Sequence, residues 1–169
     1  MKKTLIGALA ALLTFAAAPA MAHDFTGPRV GVTGGFDKQA GDEGFNFGGV
    51  AGIDAPVVKG VTAGAEVTLE DSTLDRGKRA ANFDLGLNAR LGVKLLDRVQ
   101  AFGKVGYART NFHAAGTGLN FRAEGVRFGG GLEYAVTDHI YTTVEYRRTE
   151  YGNGVAGRDG VIGGVGIRF

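Results

Sequence analysis

Few groups in this chain could do covalent chemistry, and each can be weighed singly. There is one serine, Ser72, in the segment DSTLDRG, no cysteine, and three histidines, His23, His113 and His139. Acyl transfer needs a hydroxyl or thiol beside a base that a carboxylate orients. Ser72, Asp71 and His113 supply those residue types if their two connections converge on one rim. A lone serine in a polar segment is usually a solvated turn residue, so the expectation is no catalytic residue and no enzyme. Metal binding has less to work with: His113 has no second His or Cys nearby, and Asp37, Asp42 and Glu43 offer at most a weak bridge for divalent cations. The pieces GVTGGF, FGGG and GVIGGVG open no helix and carry no GK[ST], so neither nucleotide nor other cofactor is expected.

A larger constellation is ionic. Arg29, Glu66, Asp84, Arg90, Lys94, Lys104, Arg127, Glu133, Glu145, Arg147 and Arg168 all fall opposite apolar residues in alternating runs. The clearest run sets Phe83, Leu85, Leu87, Ala89, Leu91 and Val93 against Asp84, Gly86, Asn88, Arg90, Gly92 and Lys94. A period of two belongs to strands, so one face of each is apolar and the other polar. Charges gathered inside a narrow barrel must pair. The expected network comprises Glu66, Asp84, Arg90, Lys104, Arg127, Glu133, Glu145, Arg147 and Arg168, with Glu66, Glu133 and Glu145 facing Arg90, Arg127, Arg147 and Arg168. It reads as a polar filling that fixes register, ahead of an ion or proton pathway.

The elements that must position these groups are eight strands. Arg29–Phe36, Phe45–Ile53, Val61–Glu70, Phe83–Lys94, Val99–Tyr107, Val126–Tyr134, Ile140–Arg147 and Gly160–Phe169 all alternate, and in the fifth Phe102 breaks the pattern. At about eight to twelve residues each, they match a tilted crossing of a bilayer. Asp54-Ala55-Pro56, Leu96-Asp97-Arg98 and Val136-Thr137-Asp138 read as short turns. The polar stretches DKQAGDEG, Asp71–Ala80, the segment to about Asn120, and Glu150–Asp159 read as long connections. Long and short alternate, as they do in outer-membrane barrels.

Composition agrees. Lys2 and Lys3, the apolar run Leu5–Ala18 and Ala20-Met21-Ala22 form a secretory signal peptide over residues 1–22, leaving a barrel domain over 23–169. The chain carries 19 basic and 17 acidic side chains, and losing Lys2 and Lys3 makes the balance even, so no positive field points to nucleic acid. After that leader no run nears the roughly 18 apolar residues of a membrane helix, so a spanning fold would have to be a closed barrel. Glycine, 30 of 169 residues, is interleaved within the strands, where it would fill a tight interior.

A soluble barrel of lipocalin type would turn its apolar face inward. Here that face would have to pack Phe36, Phe45, Phe47, Phe83, Phe128 and Tyr146 into one narrow lumen, and facing water it would be a continuous apolar belt. Lipid is the solvent that fits. Phe45, Phe83, Tyr107, Tyr134 and Phe169 lie near strand ends, where interfacial girdles form.

The segments FGKVGYART, GVRFGGGLEYAVTDH and TVEYRRTEYGNGV, with the terminal GVGIRF, resemble the small porin-family, opacity-like outer-membrane β-barrel proteins. The final strand, with Val165, Ile167 and Phe169 on one face, resembles the signal that the barrel assembly machinery reads. The expectation is therefore an all-β protein, an eight-stranded antiparallel up-and-down transmembrane β-barrel, monomeric, in the outer membrane of a Gram-negative bacterium. Its expected partners are outer-membrane lipid and lipopolysaccharide, the assembly machinery and an unidentified surface ligand. Its expected role is structural, or adhesion and recognition through extracellular loops. A narrow porin-like channel for small solutes is the alternative, and a lipid-A-modifying enzyme stands behind that.

Overall fold

The computed structural model describes residues 25–73, 79–114, 120–152 and 155–169. The expected signal peptide, His23 and the tips of three connections lie outside them. Eight strands follow in order: β1 (Gly27–Gln39), β2 (Asp42–Val58), β3 (Val61–Ser72), β4 (Arg79–Leu96), β5 (Val99–Ala114), β6 (Asn120–Ala135), β7 (Ile140–Tyr151) and β8 (Arg158–Arg168). Each pairs antiparallel with the next, and β8 closes on β1 from Arg29↔Arg168 to Gln39↔Arg158. The result is a closed, eight-stranded up-and-down barrel. Gly27 and Arg168 lie at one end, called here the near end; the turn after β1 marks the far end.

The strands run longer than their hydrophobic patterns. Asp54-Ala55-Pro56 is not a turn: β2 continues through it to Val58, and the chain reverses at Lys59-Gly60 instead. Ladder hydrogen bonds to Ala63 and Gly64 outweigh the local turn preference of those three residues. DKQAGDEG is likewise strand, reversing only at Ala40-Gly41. The first far-end connection is therefore as tight as those at the near end, and the expected alternation of long and short loops fails there.

Ala40 and Gly41 both take left-handed φ, 48° and 97°, as the two centres of a type I′ hairpin turn do. Gly41 adopts this freely, whereas the alanine Cβ crowds its own carbonyl. Ala40→Asn is expected to stabilise the barrel by about 0.5 kcal/mol, because Asn tolerates that region. A closed barrel is expected to run at a different gel mobility until boiled, and the urea midpoint of that heat-dependent shift checks this; a midpoint that falls would refute it.

Packing is inverted relative to a soluble domain. Val32, Phe36, Leu87, Val105, Val144 and Ile167 point outward, Phe36 being 71% exposed, whereas the barrel interior collects Arg, Asp, Glu, Asn, Gln and Thr. Inward glycines let the polar side chains fit. A Cβ on Gly52 would lie 3.0 Å from Cβ of Glu66 and 3.2 Å from a guanidinium nitrogen of Arg29, so a side chain there would displace the ion pair.

Candidate functional site

The lumen holds two layers of ion pairs. In the near layer Asp54 is the hub: one of its oxygens accepts from Arg29 (2.8 Å), Arg90 (3.0 Å) and Arg168 (3.0 Å). Glu133, fully buried, accepts from Arg90 and Arg168, both at 2.7 Å. Glu66 accepts from Arg29 and Lys104, both at 2.6 Å, and Lys104 also contacts Glu145. In the far layer Arg127 donates to Asp84 (2.7 Å), Arg147 to Glu70 (2.7 Å), and Arg158 pairs with Asp37. Thr110 donates a further bond to Asp84 at 2.6 Å, and Thr149 accepts one from Arg127 at 3.0 Å.

Each layer is neutral. Arg29, Arg90, Lys104 and Arg168 face Asp54, Glu66, Glu133 and Glu145; Arg127, Arg147 and Arg158 face Asp37, Glu70 and Asp84. Burying a charge in so narrow a space costs several kcal/mol unless it is paired and hydrogen-bonded, and every ion of both layers has an opposite partner. In the near layer Phe102 and Tyr141 interrupt the polar face. The ring of Phe102 lies under the Arg90 guanidinium, 4.3 Å from its centroid, with the Lys104 ammonium at 5.5 Å, and Tyr141 lies 5.6 Å from the Arg168 guanidinium. The break that Phe102 makes in the alternation is thus a cation–π platform inside the lumen. Phe102→Leu is expected to cost about 2 kcal/mol, the value of a desolvated cation–π contact. The urea midpoint measures it, and a change below a few tenths of a kcal/mol would count against the assignment.

Both mouths are narrowed by the chain itself. At the near end Phe25 is buried and its carbonyl accepts from Arg168 at 2.9 Å. At the far end Val155 packs on Ala123 and Tyr151, and Gln39 donates to the carbonyl of Ala156 at 2.8 Å. Between the layers a cavity of about 30 Å³ remains.

All nine residues of the expected network face the lumen; Glu133 pairs with Arg90 and Arg168, two of the arginines expected, but the other two glutamates take different partners. Glu66 pairs with Arg29 and Lys104, and Glu145 pairs with Lys104. Lys94 sits at the near rim instead, 3.5 Å from Asp97. Asp54, Asp37 and Arg158 lay in expected turns and loops, yet two-residue parity continued from Gly52, Gly35 and Gly160 would have assigned all three inward. The cation bridge from Asp37, Asp42 and Glu43 does not form: Asp37 points inward to Arg158, while Glu43 points outward to Lys38 at 3.1 Å. Ser72 is buried on the lumen face, whereas Asp71, its neighbour in the strand, is exposed on the outside. That pair cannot share a site. The side chain of His113 lies outside the described residues, and His139 is exposed in the near-end turn.

The sequence profile of the "outer membrane protein beta-barrel domain" family matches residues 8–169. The chain belongs to that family. No curated protein matches it. Among solved structures it is similar to the N-terminal β-barrel domain of Pseudomonas aeruginosa OprF, at 15% identity and TM-score 0.59, over 85% of this chain and 99% of that one. Ail, the attachment invasion locus protein of Yersinia pestis, matches at 14% and 0.57, over 85% and 97%. Neisserial surface protein A matches at 15% and 0.56, over 84% and 96%. At these identities the likeness carries the fold.

As a member of this family the protein resides in the bacterial outer membrane, so its outward belt meets lipid. The belt has a visible far boundary. Phe36 and Phe45 pack edge-on at 5.7 Å, and beyond them the outward residues turn charged. There the Tyr107 hydroxyl donates to Glu124 at 2.8 Å and that of Tyr146 to Asp159 at 2.6 Å, each reaching from an apolar ring to an ionic band. Val165 and Ile167 lie outward on β8 in register with Val32 and Val30, and the Phe169 amide donates to Pro28 at 2.9 Å.

Proposed function

We propose that the protein is a structural outer-membrane barrel whose far end, outside the cell, serves adhesion or surface recognition. The observation that carries this reading is a sheet that rises beyond the barrel rim. Pairing of β3 with β4 ends at Glu70↔Asp84, and that of β6 with β7 at Gly125↔Tyr151. Pairing of β4 with β5 runs on to Arg79↔Ala114, and of β5 with β6 to His113↔Asn120. About five residues of each strand, roughly 17 Å at strand rise, therefore stand clear as a three-stranded blade. Among the described residues no strand pairs with the outer edge of Arg79–Phe83 or of Asn120–Ala123. Unpaired strand edges accept extended segments of other proteins.

The lumen supports the same reading over a channel, because its centre is occupied by neutral, hydrogen-bonded layers. Ail has been solved in complex with a heparin analogue, sucrose octasulfate, so a barrel of this shape can bind a ligand. In this reading residues 1–22 direct export and are removed, and the assembly machinery reads Val165, Ile167 and Phe169. The folded barrel is a monomer embedded in outer-membrane lipid and lipopolysaccharide.

The test compares vesicles carrying the whole protein with vesicles carrying a variant in which the blade is trimmed to the rim. Both are assayed for binding to immobilised extracellular-matrix proteins and for conductance in planar bilayers. Binding by the whole protein alone, with no steady conductance from either, is the expected result. Discrete conductance steps from the whole protein, with no binding, would favour the solute channel.

A further inference from the structure

The gap between the ion-pair layers is itself a built site. Its walls include Thr33, Val50, Thr68, Glu70, Arg147 and Ile162. Five buried polar atoms of this lining lack a hydrogen-bond partner: the hydroxyls of Thr33, Thr68 and Tyr141, one carboxylate oxygen of Glu70 (3.7 Å from the Arg127 guanidinium) and one guanidinium nitrogen of Arg147 (4.0 Å from Asp37). Thr68, Glu70 and Arg147 are each at least nine-tenths buried. A buried polar group without a hydrogen-bond partner is costly, and five around one cavity point to a shared ligand.

The chemistry of the walls selects that ligand. A cation would meet Arg147, with Lys104 also in the lining, and an anion would meet Glu70 and Glu66. The hydroxyls can donate or accept, the carboxylate only accepts and the guanidinium only donates. A neutral molecule that does both suits every one of them. The volume of about 30 Å³ matches about two water molecules at 10–15 Å³ apiece. We propose that this cavity is a resident water site, in which a pair of waters bridges Thr33 and Thr68 to Glu70 and Arg147 and so joins the two ion-pair layers. Because ion pairs close it on both sides, the waters exchange slowly with bulk.

Val50 and Ile162 make this testable, since their methyl groups line the cavity and carry no exchangeable proton. The experiment uses methyl-labelled protein in nanodiscs and records cross-peaks between those methyls and the water resonance, in the laboratory and rotating frames. Opposite-signed cross-peaks, the mark of water held for longer than a nanosecond, are expected at both residues. They should vanish in a Thr33→Val, Thr68→Val double variant that still shows the heat-dependent gel shift. That variant should also unfold at lower urea, because the waters lose two partners. If the hydroxyls are merely unpartnered, valine would leave the midpoint unchanged or raise it. Absent cross-peaks in the unaltered protein, or cross-peaks that survive in the double variant, would overturn the proposal; the measurement on the unaltered protein decides by itself if the variant does not fold.

Discussion

Asp54→Asn is expected to destabilise the barrel by about 3–5 kcal/mol, the cost of removing one member of a buried ion pair. The shape of the side chain is kept, so the loss is electrostatic. One oxygen of Asp54 serves Arg29, Arg90 and Arg168, which come from β1, β4 and β8. Without its charge the near layer carries four cations against three anions in a space that water reaches poorly. The measurement is the urea midpoint of the heat-modifiable band after reconstitution into phospholipid vesicles. Adding Arg168→Met restores neutrality and should recover part of the loss, so the two substitutions would be non-additive. A midpoint for Asp54→Asn within error of the unaltered protein would sink the idea that Asp54 is the hub.

Val32→Arg should cost about 2–4 kcal/mol, the penalty for an arginine on the lipid face near the bilayer midplane. Val32 is 62% exposed at the centre of the outward β1 row, and its cross-strand neighbours are Gly49 and Val165. None of them can hold a guanidinium. Position 38, three steps along the same face, already carries a lysine paired with Glu43 beyond the aromatic boundary. A charge added at that boundary, as in Phe36→Arg, should cost less because the side chain can reach the headgroups. Equal losses at positions 32 and 36 would mean that the belt is set by something other than depth in the lipid.

Much of this could be read from alternation alone. The run Phe83–Lys94 assigns both faces of β4, and the charges on one side of it identify the lumen. Strand ends were harder to see because the pattern that reveals a strand is apolar residues meeting lipid. Once the barrel clears the membrane both faces become polar, and β1, β5, β6 and β7 continue beyond their last greasy residue without a signal. Asp37 and Arg158 were hidden for that reason. Asp54 was hidden by its neighbour Pro56, whose turn preference yields to the ladder around it. Pairing partners were not legible either, since they depend on which strands face each other across a closed barrel, a property of shear rather than of any one segment.

The neutrality of each layer has an electrical consequence. A difference of 100 mV across a membrane does work of about 2.3 kcal/mol on each elementary charge carried through it. With as many positive as negative groups at each level, the interior presents no net charge for such a voltage to move. Ion gradients between the periplasm and the medium can therefore rise and fall without pulling on the core of the barrel. Its shape is set by pairing alone, and the strands that extend at the far end stand on a platform that does not respond to the electrical state of the cell.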